Sequence, residues 1–273
     1  MNVNDLGATI LSLITVMLLV GSLVYWGWFF RKLRNGENPV PRRFRPQTVH
    51  VPALAVVPTL ALLGFYLHSL LFFPEPLSKL SLKDIRLSVL GTLAEGLLVL
   101  MVLLPAVILL TRSRTDLYRL GFRADHLGDQ IREGVLGLVA VVIPMGIMLI
   151  LTAPIRSTET EHPFLRLLKE TSFGNEMLII LFSAAVIAPL KEELMFRVVF
   201  QSWLEEFCPA WLAIALSAGV FSAIHGFPDA LALIPLAILL GVHFQRRRSY
   251  LSVVIVHGLF NAYNLAATIF SET

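Results

Sequence analysis

The sequence has little charge and almost no cysteine. Of its 273 residues, 15% are Asp, Glu, Lys or Arg, whereas soluble domains have about 25%. The single cysteine, Cys208, excludes an intramolecular disulfide and with it an extracellular domain held together by disulfides. Tracts rich in histidine or cysteine, which bind metals in many proteins, are also absent. These absences argue against a soluble protein and against a small disulfide-stabilised one.

Hydrophobic residues take the place of charge and make up 56% of the chain. They fall into eight blocks, several of which have the ~20 residues that a helix needs to cross a bilayer, while the sixth and seventh are shorter. The sequence therefore predicts an all-α fold, a polytopic transmembrane helical bundle of about eight spans, with the lipid bilayer as its solvent. The blocks are 7–30, 51–73, 87–111, 134–154, 177–203, 211–226, 229–244 and 250–270.

The basic residues are concentrated in alternate loops. Six Lys and Arg lie in 31–48, five in 112–133 and three in 245–249, whereas 74–86 and 155–176 have three each. Because loops rich in Lys and Arg stay in the cytoplasm, these three loops are expected there, which places both termini outside. We expect a multi-pass protein of the plasma membrane and, since the net charge is only +3, no nucleic-acid partner.

The fifth block contains charged residues that a spanning helix should not have. Lys191, Glu192, Glu193 and Arg197 lie in it, and Pro189 precedes them. Glu193 and Arg197 are four residues apart and can pair on one helix face, whereas Glu192 is rotated by about 100° and points elsewhere. The missing N–H of the proline should free carbonyl groups at the same depth. The alternative is that 190–203 is an interfacial helix with solvated charges.

Two later blocks each contain a histidine. His225 lies in the sixth block, and His257 lies in the eighth, four residues before Asn261 and therefore on the same helix face. A single histidine in an apolar helix is usually a satisfied core residue. Two histidines and an amide near the carboxylates of the fifth block instead predict a shared polar site within the membrane.

These residues have the chemistry that peptide hydrolysis requires, which is a base for water and donors for the oxyanion. Glu192 is the predicted base, and His225 would share and orient the water. His257 and Asn261 would bind the oxyanion, and Glu193 would hold Arg197. This scheme needs no cofactor, and we favour it.

The alternative scheme places Zn²⁺ between Glu192, His225 and His257, with a fourth position open for water. The spacing does not select this scheme, because the sequence has no HExxH helix with two zinc-binding histidines and a base.

Three motifs in successive hydrophobic segments resemble those of the CPBP family, the CAAX prenyl endopeptidases and bacteriocin-processing proteins. They are Glu-Glu-x-x-x-Arg at 192–197, Phe-x-x-x-His at 221–225 and His-x-x-x-Asn at 257–261. The resemblance implies an intramembrane endopeptidase in which Glu192 and His225 activate water while His257 and Asn261 stabilise the oxyanion. Members have often been called metalloproteases, so the resemblance also leaves zinc open.

The resemblance divides the chain into two parts, with residues 1–114 as transmembrane spans without a motif and 115–270 as the protease core. The predicted function is cleavage of a membrane-associated peptide or protein, with a prenylated CAAX tail, a leader peptide or a sorting signal as possible substrates. The alternative is a non-catalytic immunity or scaffold protein of the same fold. A transporter should have related halves, and none are visible.

Glu95 is a further carboxylate inside an apolar block, outside all three motifs. It is expected either to line the cavity or to pair with a polar group such as His68.

Overall fold

The computed structural model describes residues 3–41, 49–72, 81–156, 163–171 and 174–270. These residues form helices and no β-strand, which confirms the predicted all-α bundle. Part of the basic loop 31–48 lies outside the described residues. The α-helices are α1 (Val3–Arg34), α2 (Ala53–Phe72), α3 (Leu82–Leu110), α4 (Arg114–Arg119), α5 (Leu127–Thr152), α6 (Pro163–Glu170), α7 (Asn175–Phe182), α8 (Ala188–Glu193), α9 (Ser202–Leu204), α10 (Ala210–Ala223), α11 (Asp229–Ala232), α12 (Ile234–Arg247) and α13 (Tyr250–Phe270).

Five of these helices, α1, α2, α3, α5 and α13, are long and apolar enough to cross a membrane. The other three predicted spans are helical as well, but they differ from the expectation of about eight full spans. Helices α10 and α12 have 14 residues each, about 21 Å at ~1.5 Å per residue, which is less than the ~30 Å of a bilayer core. They pack against each other inside the bundle.

The fifth predicted span is one continuous helical segment, here called the motif helix (residues 175–204). Two π-helical stretches, Ser183–Ile187 and Leu194–Gln201, alternate with α7, α8 and α9 along it. The residues at each junction keep right-handed helical backbone angles, so the helix is not broken. Single π-helical turns are rare and are often found at functional sites.

Helix α1 is attached to the bundle by three polar contacts on one face. Trp26 Nε1 donates a hydrogen bond to the Ala140 carbonyl of α5 at 3.0 Å, and the Ile143 N–H donates to Ser22 Oγ at 3.3 Å. The Thr15 and Tyr263 hydroxyls lie 2.9 Å apart. Because lipid supplies no hydrophobic drive between helices, such bonds and close packing hold a membrane bundle together.

The loops with the basic clusters meet at one end of the bundle. Residues beside three of these loops are in contact, since His50 Nδ1 lies 2.9 Å from Glu206 and Arg123 Nη1 donates to the Arg247 carbonyl at 3.1 Å. Arg156 pairs with Asp229 at 2.8 Å in the connections that follow α5 and α10. This arrangement agrees with the predicted alternation of loops, while the side that faces the cytoplasm stays a prediction.

Candidate active site

Pro189 determines the backbone hydrogen bonding in the first half of the motif helix. In the π-helical stretch the Ala188 N–H donates to the Ser183 carbonyl, five residues earlier. Proline has no N–H to donate, so the Ala184 carbonyl is open to another partner. Asn261 Nδ2 of α13 donates to it at 2.8 Å. The expectation that Pro189 frees a carbonyl near the site is confirmed, and the freed carbonyl binds a residue of the third motif.

Helix α13 approaches this π-helical stretch closely at Gly258. A Cβ atom there would lie only 2.8 Å from the carbonyl oxygen of Ala185, so any larger residue would push the two helices apart. Gly258 directly follows His257, and the close contact therefore sets the position of the histidine against the motif helix.

Glu193 lies at the centre of a buried polar cluster. Its Oε2 accepts a hydrogen bond from Arg197 Nε at 3.1 Å, and its Oε1 lies 2.8 Å from His257 Nδ1. Because an ionised carboxylate can only accept, His257 Nδ1 is the donor. The Glu193 and Arg197 side chains are completely buried. The predicted pairing of these two residues is confirmed, and the contact with His257 extends it to α13.

Arg197 has a second anchor on α10. Its Nη1 donates to Ser217 Oγ at 3.1 Å, and the serine hydroxyl in turn donates to the Phe196 carbonyl at 3.0 Å. The guanidinium also lies 5.1 Å from the centre of the Phe221 ring, within the range of a cation–π interaction. A buried cation needs such partners, and Ser217 is one that sequence reasoning missed. The sequence feature that could have indicated Ser217 is the presence of a serine inside an apolar span.

Glu192 points away from Arg197, as the helical rotation predicts. Its Oε2 lies 3.8 Å from His257 Nε2, which is too long for a hydrogen bond. Within the described residues its carboxylate has no hydrogen-bond partner, and its side chain is 16% exposed. The two neighbouring glutamates thus differ, because Glu193 is engaged on both oxygens while Glu192 is open to a ligand.

His225 joins the site through Phe221. Its Nδ1 lies 2.7 Å from the Phe221 carbonyl, and since a carbonyl only accepts, Nδ1 donates and Nε2 has a free lone pair in the neutral ring. The centre of the Phe221 ring is 4.8 Å from that of His225 and 5.7 Å from that of His257. The phenyl ring of the second motif therefore contacts both histidines.

The structure thus brings the predicted residues together in one region. Glu192, Glu193, Arg197 and His257 are joined by direct contacts, and His225 and Asn261 are attached through the Phe221 ring and the Ala184 carbonyl. The alternative of an interfacial helix with solvated charges is wrong, because every residue from Leu194 to Gln201 is buried.

Residues 174–263 match the family model of the type II CAAX prenyl endopeptidase Rce1-like proteins. This segment is similar to the Rce1-like family. The match confirms the resemblance drawn from the three motifs, all of which lie within the Rce1-like segment. Together with the five apolar helices, it makes the protein an integral membrane protein with a CAAX-type protease domain. No curated protein and no solved structure shows significant similarity to the chain.

The zinc scheme would need Glu192, His225 and His257 around one point. Among the described residues, no group of three His, Cys, Asp or Glu side chains lies close enough to hold a metal ion. His257 Nδ1 is engaged by Glu193 and His225 Nδ1 by a carbonyl, so Nε2 is the nitrogen of each ring that remains for a water or a metal ion. The choice between the metal-free and the zinc scheme stays a prediction.

Proposed function

We propose that the protein is an intramembrane endopeptidase that hydrolyses a peptide bond of a membrane-associated protein or peptide. The observation that supports it best is the contrast between the two glutamates. Glu193 is bound on both carboxylate oxygens, by Arg197 and His257, whereas Glu192 has a carboxylate that can bind water. A general base must be free to take a proton, and a positioning carboxylate must be fixed.

In this proposal Glu192 takes a proton from water as the water attacks the scissile carbonyl. His225 assists, because its Nδ1 is engaged by the Phe221 carbonyl and its Nε2 lone pair can accept a hydrogen bond from the same water. Glu192 then returns the proton to the leaving amine. The scheme needs no metal.

The oxyanion would be bound by α13. Asn261 gives one N–H to the Ala184 carbonyl, and an amide nitrogen has a second N–H that remains for the oxyanion. Glu193 fixes the orientation of the His257 ring through Nδ1, and Nε2, which faces Glu192, donates to the oxyanion when the ring carries a proton on both nitrogens. Donors fixed before the reaction are effective because they need no reorganisation when the charge develops.

The experiment compares wild type with Glu192→Gln in detergent, each incubated with a library of membrane peptides that includes prenylated and unprenylated CAAX tails. Cleavage is measured by mass spectrometry with and without a chelator. We expect cleavage by wild type, no effect of the chelator, and a loss in Glu192→Gln of about 10²–10⁴-fold, the usual contribution of a general base.

Glu206→Gln is the matched control, because Glu206 follows directly on the motif helix and pairs with His50 and the Val51 N–H at the end of the bundle. It should cleave like wild type. Loss of activity with the chelator and recovery with Zn²⁺ would overturn the metal-free scheme. A folded wild type that cleaves no peptide in the library would instead favour the non-catalytic immunity or scaffold alternative.

A further inference from the structure

Glu95 of α3, which belongs to none of the three motifs, is bound at two points. Its Oε2 lies 3.0 Å from Lys191 Nζ of the motif helix, and its Oε1 accepts a hydrogen bond from the Tyr66 hydroxyl of α2. The Lys191 ammonium also lies 5.6 Å from the centre of the Tyr66 ring. One carboxylate therefore joins three helices. The three residues are here called the Tyr66–Glu95–Lys191 cluster. Of the two expectations for Glu95, pairing is confirmed, with these two partners.

This cluster lies directly beside the candidate base. Lys191 precedes Glu192 in the motif helix, and its side chain is 8% exposed. The candidate base therefore directly follows a buried residue whose ammonium group is bound by Glu95.

The backbones of α3 and the motif helix approach each other closely at the same level. A Cβ atom on Gly96 would lie 2.7 Å from Cγ2 of Ile187 and 4.0 Å from Cδ of Lys191. The residue after Glu95 thus fits between two side chains one turn apart on the motif helix. Such close packing fixes the position of α3 along the axis of the motif helix, next to the turn that contains Glu192.

Helix α2 extends from this cluster across the site. Leu70, one turn after Tyr66, lies 3.5 Å from where a Cβ of Gly226 would be. Gly226 follows His225. One face of α2 therefore runs from the Tyr66–Glu95–Lys191 cluster to the residue next to the histidine that would share the water, and the Tyr66 hydroxyl ties this face to α3.

We propose that Glu95 is a positioning residue of the active site, which holds Lys191 and Tyr66 so that the motif helix presents Glu192 to the substrate and α2 forms a wall of the site. This role rests on the proposed function. The Glu95 side chain is 32% exposed, but that of Lys191 is 8% exposed, so the lysine depends on this carboxylate for its charge partner. Without the Glu95 carboxylate, Lys191 loses its anion and Tyr66 loses its hydrogen-bond partner on α3.

The test is the variant Glu95→Gln, which keeps the shape of the side chain and removes its charge. We expect kcat to fall about tenfold to hundredfold, since small displacements of a catalytic group reduce rates by such factors. The KM and the melting temperature should change little. Lys191→Met should have the same effect, and the double variant should be no slower than either single one, because both remove the same ion pair.

Tyr66→Phe and Tyr263→Phe form a matched pair of variants. Each removes one tyrosine hydroxyl that bonds to another helix, Tyr66 to Glu95 and Tyr263 to Thr15. Both should lower stability slightly, but only Tyr66→Phe should lower kcat. Equal kcat values in the two variants, additive effects of Glu95→Gln and Lys191→Met, or wild-type kcat in Glu95→Gln would each overturn the proposal.

A second measurement separates this proposal from the proposed function. Spin labels are attached at Leu71 of α2 and Leu178 of the motif helix, both exposed on the bundle surface, after Cys208→Ser removes the native thiol. Glu95→Ala, which removes both carboxylate oxygens, should broaden the distance distribution between the labels. An unchanged distribution would overturn the positioning role whether or not the protein cleaves peptides, whereas a failure of the proposed function would appear as an inactive wild type with the broadening intact.

Discussion

Helix α1 and the motif helix differ in which side chains they expose and which they bury. Helix α1 exposes most of its apolar side chains, such as Met17, which is 72% exposed, and holds to the bundle through a few bonds on one face. The motif helix buries Leu194–Gln201 completely or nearly so, and it contains the buried ions Glu193 and Arg197.

The difference shows where charges are tolerated in such a protein. A helix that faces lipid must be apolar, because an ion has no partner there. A helix surrounded by other helices can contain ions, because Ser217 of α10 and His257 of α13 bind Arg197 and Glu193. The helices packed around the motif helix therefore allow it to contain these ions.

The largest loss of stability is expected when the buried ion pair of the motif helix is broken, and a much smaller one when the exposed pair of α1 is broken. Glu193→Gln leaves the Arg197 cation buried without its carboxylate, which should destabilise the fold by about 3–5 kcal/mol. The amide has one acceptor oxygen where the carboxylate has two, so it cannot accept from both Arg197 and His257, and cleavage should be lost. Unfolding in detergent measures the first effect and peptide cleavage the second.

The control is Glu37→Gln, which breaks an exposed pair with Lys32 (2.5 Å) at the end of α1. Exposed pairs contribute little, because water screens them, so this variant should unfold like wild type. Similar losses of stability in the two variants would contradict the contrast between the two regions.

The second prediction concerns the freed carbonyl. Asn261→Leu removes the donor to Ala184 and the candidate oxyanion donor, and cleavage should fall about 10²–10³-fold, as for the loss of one oxyanion donor. Asn264→Leu is the matched variant, because within the described part of the chain its amide donates to the Phe260 carbonyl of its own helix. Equal rates in these two variants would rule out a role of Asn261 in the reaction.

A third variant, Pro189→Ala, tests the backbone itself. It supplies an N–H that can bond to the Ala184 or Ala185 carbonyl and so compete with Asn261. We expect a more regular helix, nearly unchanged stability, and a rate lowered about tenfold, as small shifts of a catalytic group produce. Hydrogen exchange measures the regularity of the motif helix, and cleavage assays measure the rate. An unchanged rate would mean that the π-helical stretch does not position Asn261.

The smallest effect is expected in α1. Trp26→Phe removes its hydrogen bond to the Ala140 carbonyl and should destabilise the bundle by about 0.5–1.5 kcal/mol. Peptide cleavage by the folded variant should equal that of wild type, because the hydrogen bonds of α1 described above go to α5 and to Tyr263 rather than to a motif residue. A lower rate at equal stability would show that the motif-free spans affect the reaction through α1.

Much of the site could be predicted because its pairs are local. The Glu193–Arg197 pair follows from a spacing of four residues, and the free carbonyl follows from the chemistry of Pro189. The contacts of Glu193 with His257 and of Glu95 with Lys191 join residues far apart in the chain. No helical spacing encodes such pairs, and His68 was as reasonable a partner for Glu95 as Lys191.

The sequence alone determined that the protein is a membrane bundle and which residues are its candidate catalysts, because both follow from the high energy of a charge in lipid and from spacing along a helix. Only the tertiary structure decided which glutamate is bound and which is open. That choice depends on where α10 and α13 place Ser217 and His257 around the motif helix, and this placement results from the packing of whole helices rather than from any single segment.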